Sequence, residues 1–193
     1  MKLLRNLTLS SYKIKKIYKH HELISLMDRG LFIGRFQPFH SGHLRDIKNA
    51  LEEVGEIIIG IGSSNEENTK ENPFTVRERV EMINIALAAN NIKKYVVFTI
   101  PDFNDDIKWV NHIEATIPKF EVVYTGNEWT EKCFEGKYEV RKVKMLKGVS
   151  STTIRSRIIK NQNWQRLVPE EIVNYISKIK GVQRVKEICT PDL

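Results

Sequence analysis

Residues 30–43 read GLFIGRFQPFHSGH, an apolar run that stops at a glycine, a basic turn containing proline, and a polar stretch opening on two histidines. Leu31 to Ile33 is short and continuously apolar, which is the signature of a strand buried on both faces of a parallel sheet. Gly34 lets a ligand approach the backbone, and Pro38 stiffens the turn that follows. Ser41 is the expected N-cap of the next helix, whose free N–H groups and partial positive charge would face the turn. A strand, a glycine turn and a helix N-terminus in this order make an anion site. Arg35 adds a planar donor fork, and His40 and His43, three apart, fall on one side of the first helical turn. A lone histidine at a helix start is usually a cap or a surface residue. Two histidines and an arginine compressed around one glycine turn point instead to phosphate chemistry.

Working outward, Leu44, Ile47, Leu51 and Val54 keep helical spacing up to Gly55, and Glu56 to Ile61 is a second buried strand ending in Gly62-Ser63-Ser64. Strand, helix, strand without a hairpin signal is a right-handed βαβ unit, with its ligand crevice at the carboxyl ends of the strands. Thr75 and Glu78 form a capping box ahead of a helix carrying Val76, Val80, Ile83 and Leu87. Further strands are expected at 95–100, 121–125 and 138–143, the last alternating in polarity as an edge does. Gly148 to Arg155 (GVSSTTIR) supplies several N-caps and an arginine one turn into a helix. Pro169 would occupy the first helical position of a last helix ending near Gly181. The fold class is therefore α/β, a doubly wound Rossmann-like parallel sheet of about five strands flanked by helices, in a single domain.

At 193 residues, 41% hydrophobic and 28% charged, the chain has the length and composition of one soluble domain. The net charge of +7 is unevenly placed: residues 1–26 hold six basic residues against Glu22, leaving only +2 for the rest. That distribution favours a phosphate ligand over a long polyanion and argues against nucleic-acid binding. No apolar run approaches the roughly 20 residues of a membrane span, so no membrane partner is expected. Cys133 and Cys189, not at metal spacing, fit a reducing cytoplasm. Residues 1–26 read as a basic extension, either a loose arm or the result of an upstream start ahead of Met27. The domain would then occupy 27–187 and a tail 188–193.

Pro38-Phe39-His40-Ser41-Gly42-His43 resembles the H-x-G-H signature of the nucleotidyltransferase superfamily, and GRFQPFH is similar to its archaeal-type nicotinamide mononucleotide (NMN) adenylyltransferase branch. The second stretch, Ser150 to Arg155, resembles the superfamily's Ser/Thr-Ser/Thr-x-Ile/Val-Arg signature, which holds the triphosphate, and the two lie some 110 residues apart as that family requires. The resemblance covers roughly residues 28–187. No cluster in the sequence reads as a dedicated metal cage, so Mg2+ would arrive with ATP, and the resemblance implies transfer of AMP from ATP to NMN, giving NAD and pyrophosphate. It also implies catalytic roles for Arg35, His40, His43 and Arg155. ATP and its phosphates would lie on Gly34, Phe36, Gly42, Gly126, Asn127, Ser150, Ser151 and Thr152, and NMN on Gly62, Ser63 and Trp109.

By its own chemistry Trp109 is most simply a packing residue, and the resemblance gives it a second role as the indole stacked on nicotinamide. Family members often carry a basic residue just before Asn72-Pro73, where this chain has Glu71 with Lys70 one step earlier. The resemblance further implies a symmetric homo-oligomer, often a hexamer. The same signatures leave nicotinic acid mononucleotide, FMN or pantetheine phosphate open as acceptors. A nucleotide-sensing or nucleic-acid-binding module is the rival from outside enzymology.

Overall fold

The computed structural model describes residues 28–189, and the basic extension at 1–26 lies outside them. Five strands form one parallel sheet in the order β3-β2-β1-β4-β5. They are β1 (Arg29–Gly34), β2 (Glu56–Ile61), β3 (Tyr95–Thr99), β4 (Val122–Thr125) and β5 (Glu139–Lys142). The sequence pattern places all five, and β1 is central, in keeping with a strand buried on both faces. Its register pairs Leu31 with Ile58 on one side and with Val123 on the other.

Alternation along each strand sends successive side chains to opposite faces, and both faces are covered. Ile57, Ile59 and Ile61 of β2 join Phe32 and Val122 on one face, packed under α1 (Ser41–Leu51), α2 (Val76–Ala89), α5 (Ser151–Ile159), α6 (Glu170–Lys178) and α7 (Gly181–Cys189). Leu31, Ile58 and Val123 face the other way, into a smaller core with α3 (Asp106–Thr116) and α4 (Glu128–Phe134). The order reverses between β1 and β4, so the crevice at their carboxyl ends is the switch point at which such sheets bind ligands.

Three helix boundaries differ from the sequence expectation. The N-cap of α1 is His40, and Ser41 is already the first helical residue. An imidazole Nδ1 replaces the hydroxyl, because His43 stands three residues on and completes a reciprocal capping box with it. Pro169 is the N-cap of α6, one position earlier than expected. Gly181 does not end the last helix. Lys180 takes the left-handed turn (φ 55°), and Gly181 opens α7, where a Cβ would come within 2.8 Å of the Phe74 ring. The glycine is there for close packing, and α7 runs past residue 187 to Cys189. The helix α4 was also not expected. It is short and capped by Asn127, whose Oδ1 accepts from the backbone N–H groups of Trp129 and Thr130 at 2.9 and 3.2 Å.

Candidate active site

A cleft of about 450 Å³ opens at the carboxyl ends of β1, β2 and β4. All fifteen residues singled out from the sequence line it. Arg35, Gly34 and Phe36 come from the end of β1, His40, Gly42 and His43 from the start of α1, and Gly62 and Ser63 from the end of β2. Trp109 comes from α3, Gly126 and Asn127 from the end of β4, and Ser150, Ser151, Thr152 and Arg155 from the start of α5.

The turn between β1 and α1 is held by side chains distant in sequence. Ser151 Oγ donates to the carbonyl of Pro38 at 3.0 Å, and Arg155 Nη1 donates to that of Gln37 at 2.9 Å. The Gln37 amide donates to the Phe74 carbonyl and accepts from the Phe74 N–H, at 2.8 and 2.9 Å. Phe36 sits at φ 53°, a left-handed conformation uncommon for a bulky residue, with its ring buried and 4.8 Å from that of His43. The two signature segments are thus bonded to each other through the turn, not merely neighbours.

His40 and His43 stack with centroids 3.5 Å apart. Each Nδ1 accepts the other residue's backbone N–H at 3.3 Å, so in the neutral rings the proton sits on Nε2. Burial lowers the pKa of His40 to about 4, against a weaker opposing backbone hydrogen bond. Burial, and then the charge His40 would carry, hold His43 well below the usual histidine value. Both rings are therefore neutral donors at physiological pH. Gly42 makes room for this stack, since a Cβ there would come within 3.0 Å of the His40 ring.

Sequence reasoning missed Arg79. It is fully buried, and its guanidinium donates to the carbonyls of Gly62 (2.8 Å), Ser63 (3.1 Å) and Arg35 (3.2 Å), tying the ends of β1 and β2 together. Burial is the main reason its pKa falls to about 10. Arg155 is lowered too, first by burial and then by Arg35. Arg35 is exposed in the cleft, and its guanidinium has no hydrogen-bond partner among the described residues. Two buried arginines behind one exposed arginine concentrate positive charge at this end of the cleft, which a polyphosphate would meet. The alternating charges Arg77-Glu78-Arg79 at the start of α2 are the only sequence signal for Arg79, and they read equally well as a solvated helix face.

Asp46, also missed, lines the cleft and accepts from both Nε and Nη2 of Arg45, at 3.0 and 2.7 Å. Burial raises its pKa, against the Arg45 bonds. Trp109 reaches the cleft with only 2% of its surface exposed, and its buried Nε1–H has no hydrogen-bond partner among the described residues. Lys70 and Glu71 lie outside the cleft lining, and so does His112, whose ring is 5.1 Å from Phe103. Among the described residues no group of three His, Cys, Asp or Glu side chains could hold a metal ion. No helix among them is long and apolar enough to cross a membrane.

Residues 31–177 match the cytidylyltransferase-like family. The chain is 46% identical over 167 residues to the nicotinamide-nucleotide adenylyltransferase of Thermococcus sibiricus, covering 84% of this chain and 90% of that one. It is 45% identical over 167 residues to the protein of the same name from Methanococcus aeolicus, covering 85% and 96%. Among solved structures it superposes, with a TM-score of 0.71 and 24% identity, on a bifunctional NMN adenylyltransferase/ADP ribose pyrophosphatase from Francisella tularensis complexed with AMP and a manganese ion. That match covers 84% of this chain but 52% of the bifunctional protein, so the chain spans about half of that structure's length.

Proposed function

The chain belongs to the cytidylyltransferase-like family, and we infer that it is a nicotinamide-nucleotide adenylyltransferase, making NAD and pyrophosphate from ATP and NMN. The observation that carries this reading is the pair of hydrogen bonds, Ser151 to Pro38 and Arg155 to Gln37, that fuse the two phosphate-handling helix starts across one cleft. Relatives at 40–46% identity that share this activity in their names support the acceptor assignment.

A phosphate oxygen of NMN attacks the α-phosphorus of ATP, a P–O bond forms there, and the bond to the departing pyrophosphate breaks. The nucleophile is already an anion at neutral pH, so no general base is required. The protein's task is in-line placement and stabilisation of charge on the α-phosphoryl group and leaving group. Arg35 supplies an unpaired charged fork, and His40 and His43 supply neutral Nε2–H donors. Arg155 and the N–H groups at the start of α5 hold the triphosphate. Gly34, Phe36, Gly42, Gly126 and Asn127 shape the ATP end. Gly62, Ser63 and the α3 wall that carries Trp109 shape the acceptor end.

A divalent ion, Mg2+ in our reading, enters as the companion of ATP, because its phosphate oxygens suit a hard cation that keeps several waters. Residues 1–26 are read as a basic extension ahead of the domain, either a loose arm or the result of an upstream start, and the protein as cytoplasmic, with no nucleic-acid or membrane partner, and as a homo-oligomer, a hexamer by resemblance. Size-exclusion chromatography with light scattering tests the last. The test of the reaction is pyrophosphate release from MgATP with a panel of NMN, nicotinic acid mononucleotide, FMN and pantetheine phosphate. NMN is expected to give the highest kcat/KM and NAD as product. Faster turnover with FMN or pantetheine phosphate overturns the assignment.

A further inference from the structure

Asp46 is a carboxylate that the transfer of AMP does not use. It lies on α1 one turn beyond Gly42, lines the cleft, and is 8% exposed. A negative charge is unfavourable beside phosphates, so its place in a cleft that gathers positive charge calls for a reason. It stands on the side away from the acceptor. Gly62 and Ser63 follow β2, whereas Asp46 faces the loop 143–149 that follows β5, and β2 and β5 lie on opposite sides of β1.

That loop runs from the end of β4 to the start of α1. A Cβ on Gly126 would meet Val143 at 3.1 Å and Met145 Sδ at 3.6 Å, and one on Gly42 would come within 3.9 Å of Leu146. Arg45 Nη2 fastens the loop by donating to the Lys144 carbonyl. Met145 and Leu146 are exposed, yet both line the cleft together with Val143 and Val149. Apolar side chains kept in a cleft opposite two glycines form a slot suited to a flat ring.

Asp46 is the polar group of that slot, and half of it is unserved. Nε and Nη2 of Arg45 both donate to the same oxygen, Oδ1, at 3.0 and 2.7 Å. Oδ2 accepts no hydrogen bond among the described residues, and it is not sealed from solvent. A nearly buried carboxylate with one free oxygen favours an N–H donor, in keeping with the raised pKa that burial gives it. An amino group on a flat ring is such a donor.

We propose that Asp46 is a specificity-determining residue for the triphosphate substrate, its Oδ2 accepting a hydrogen bond from the exocyclic amino group of an adenine ring seated between α1 and the loop 143–149. This rests on the adenylyl transfer from ATP inferred above. A site built to bond an N–H rejects an analogue that lacks it, because its own buried group is then left unpaired.

Purine riboside triphosphate lacks only the amino group of ATP, so pyrophosphate release with NMN is measured for both nucleotides, alongside the melting temperature of each protein. Wild type should favour ATP by roughly 10- to 100-fold in kcat/KM, the size of a hydrogen bond to a charged group. Asp46→Ala should bring the two nucleotides to within about threefold of each other and leave KM for NMN within about twofold. Asp46→Asn keeps an acceptor for Arg45 and turns a donor toward the ring. It should therefore raise the use of ITP, whose base carries a keto oxygen in place of the amino group, relative to ATP, and it decides the matter if the alanine variant does not fold. If wild type uses ATP and its amino-free analogue alike, or a folded variant keeps the wild-type preference, the inference is overturned while the activity stands. A wild-type protein that releases no pyrophosphate with ATP and NMN overturns the activity, and the inference with it.

Discussion

The imidazoles of His40 and His43 lie 3.5 Å apart with their planes 15° from parallel, each ring accepting the other residue's backbone N–H. One pair of side chains therefore both caps α1 and lines the cleft. Stacking two rings this closely is compatible with neutral imidazoles and opposed to two imidazolium ions, in line with the lowered pKa of each.

A pH dependence follows. Between pH 6.5 and about 4 the unfolded chain binds a proton at His40 that the folded chain refuses. Stability is therefore full above pH 6.5 and lost as pH falls through that window, by up to about 3 kcal/mol for a shift of this size. His43 acts in the same direction, and Asp46, whose pKa is raised, acts against both. His40→Asn keeps a capping acceptor and removes the titration. Thermal melts at pH 7 and 4.5 should show a smaller drop for this variant than for wild type. An equal drop would mean that His40 titrates normally in the fold. Because both rings stay neutral, kcat should also be flat from pH 6 to 8, with no limb attributable to histidine.

Arg35 is the charged fork left free in the cleft, so it should act mainly on charge that develops during transfer. Arg35→Lys keeps the charge and loses the fork, and kcat should fall about 100-fold, the scale of removing one preorganised donor. His43→Ala should fall by a similar factor. It also removes the return bond of the capping box, the one His43 Nδ1 accepts from the His40 backbone N–H, and leaves the His40 cap in place. An unchanged kcat with a raised KM for ATP would confine both residues to ground-state binding.

Arg79 tests how the cleft is held open. Its loss leaves the carbonyls of Gly62, Ser63 and Arg35 short of a buried donor. Arg79→Met should destabilise the fold by about 3 kcal/mol or more, since unsatisfied buried groups cost about 1–3 kcal/mol each. Arg79→Lys cannot reach three carbonyls with the same geometry and should fall between. Denaturant unfolding measures both, and a loss below 1 kcal/mol for the Met variant would show that the loops hold themselves.

Most of the fold was legible because its strands carry a period-2 or continuous apolar pattern, and β2 agrees with the sequence reading at both ends. The glycine turn and both signature helices were legible because cap residues and anion-binding chemistry leave short-range marks. Arg79 left only an ambiguous pair of charges, because it acquires its role from partners remote in sequence, the carbonyls at the ends of β1 and β2. The histidine cap was misread as Ser41 because serine is by far the commoner capping residue, and only the reciprocal bond from His43 tips the balance. The helix α7 was hidden behind a glycine whose small size serves packing against Phe74.

The last prediction separates the two tryptophans. Trp109 is buried against Phe134 and the apolar face of the sheet, whereas Trp129 is exposed above it. Truncating a buried tryptophan typically costs about 3–5 kcal/mol, because the cavity adds to the lost transfer energy. Trp109→Ala should therefore lower the melting temperature steeply and, because the residue also lines the acceptor end of the cleft, raise KM for NMN as well, while KM for ATP in the folded fraction stays near wild type. Trp109→Phe fills most of the space and should recover stability first. The indole Nε1–H of Trp109 has no partner among the described residues, so the Phe variant gives up none of the hydrogen bonds within them. If Trp109→Phe is as stable as wild type yet binds NMN several-fold more weakly, the Trp109 indole itself meets the acceptor ring. If it is stable and binds NMN normally, Trp109 serves packing alone.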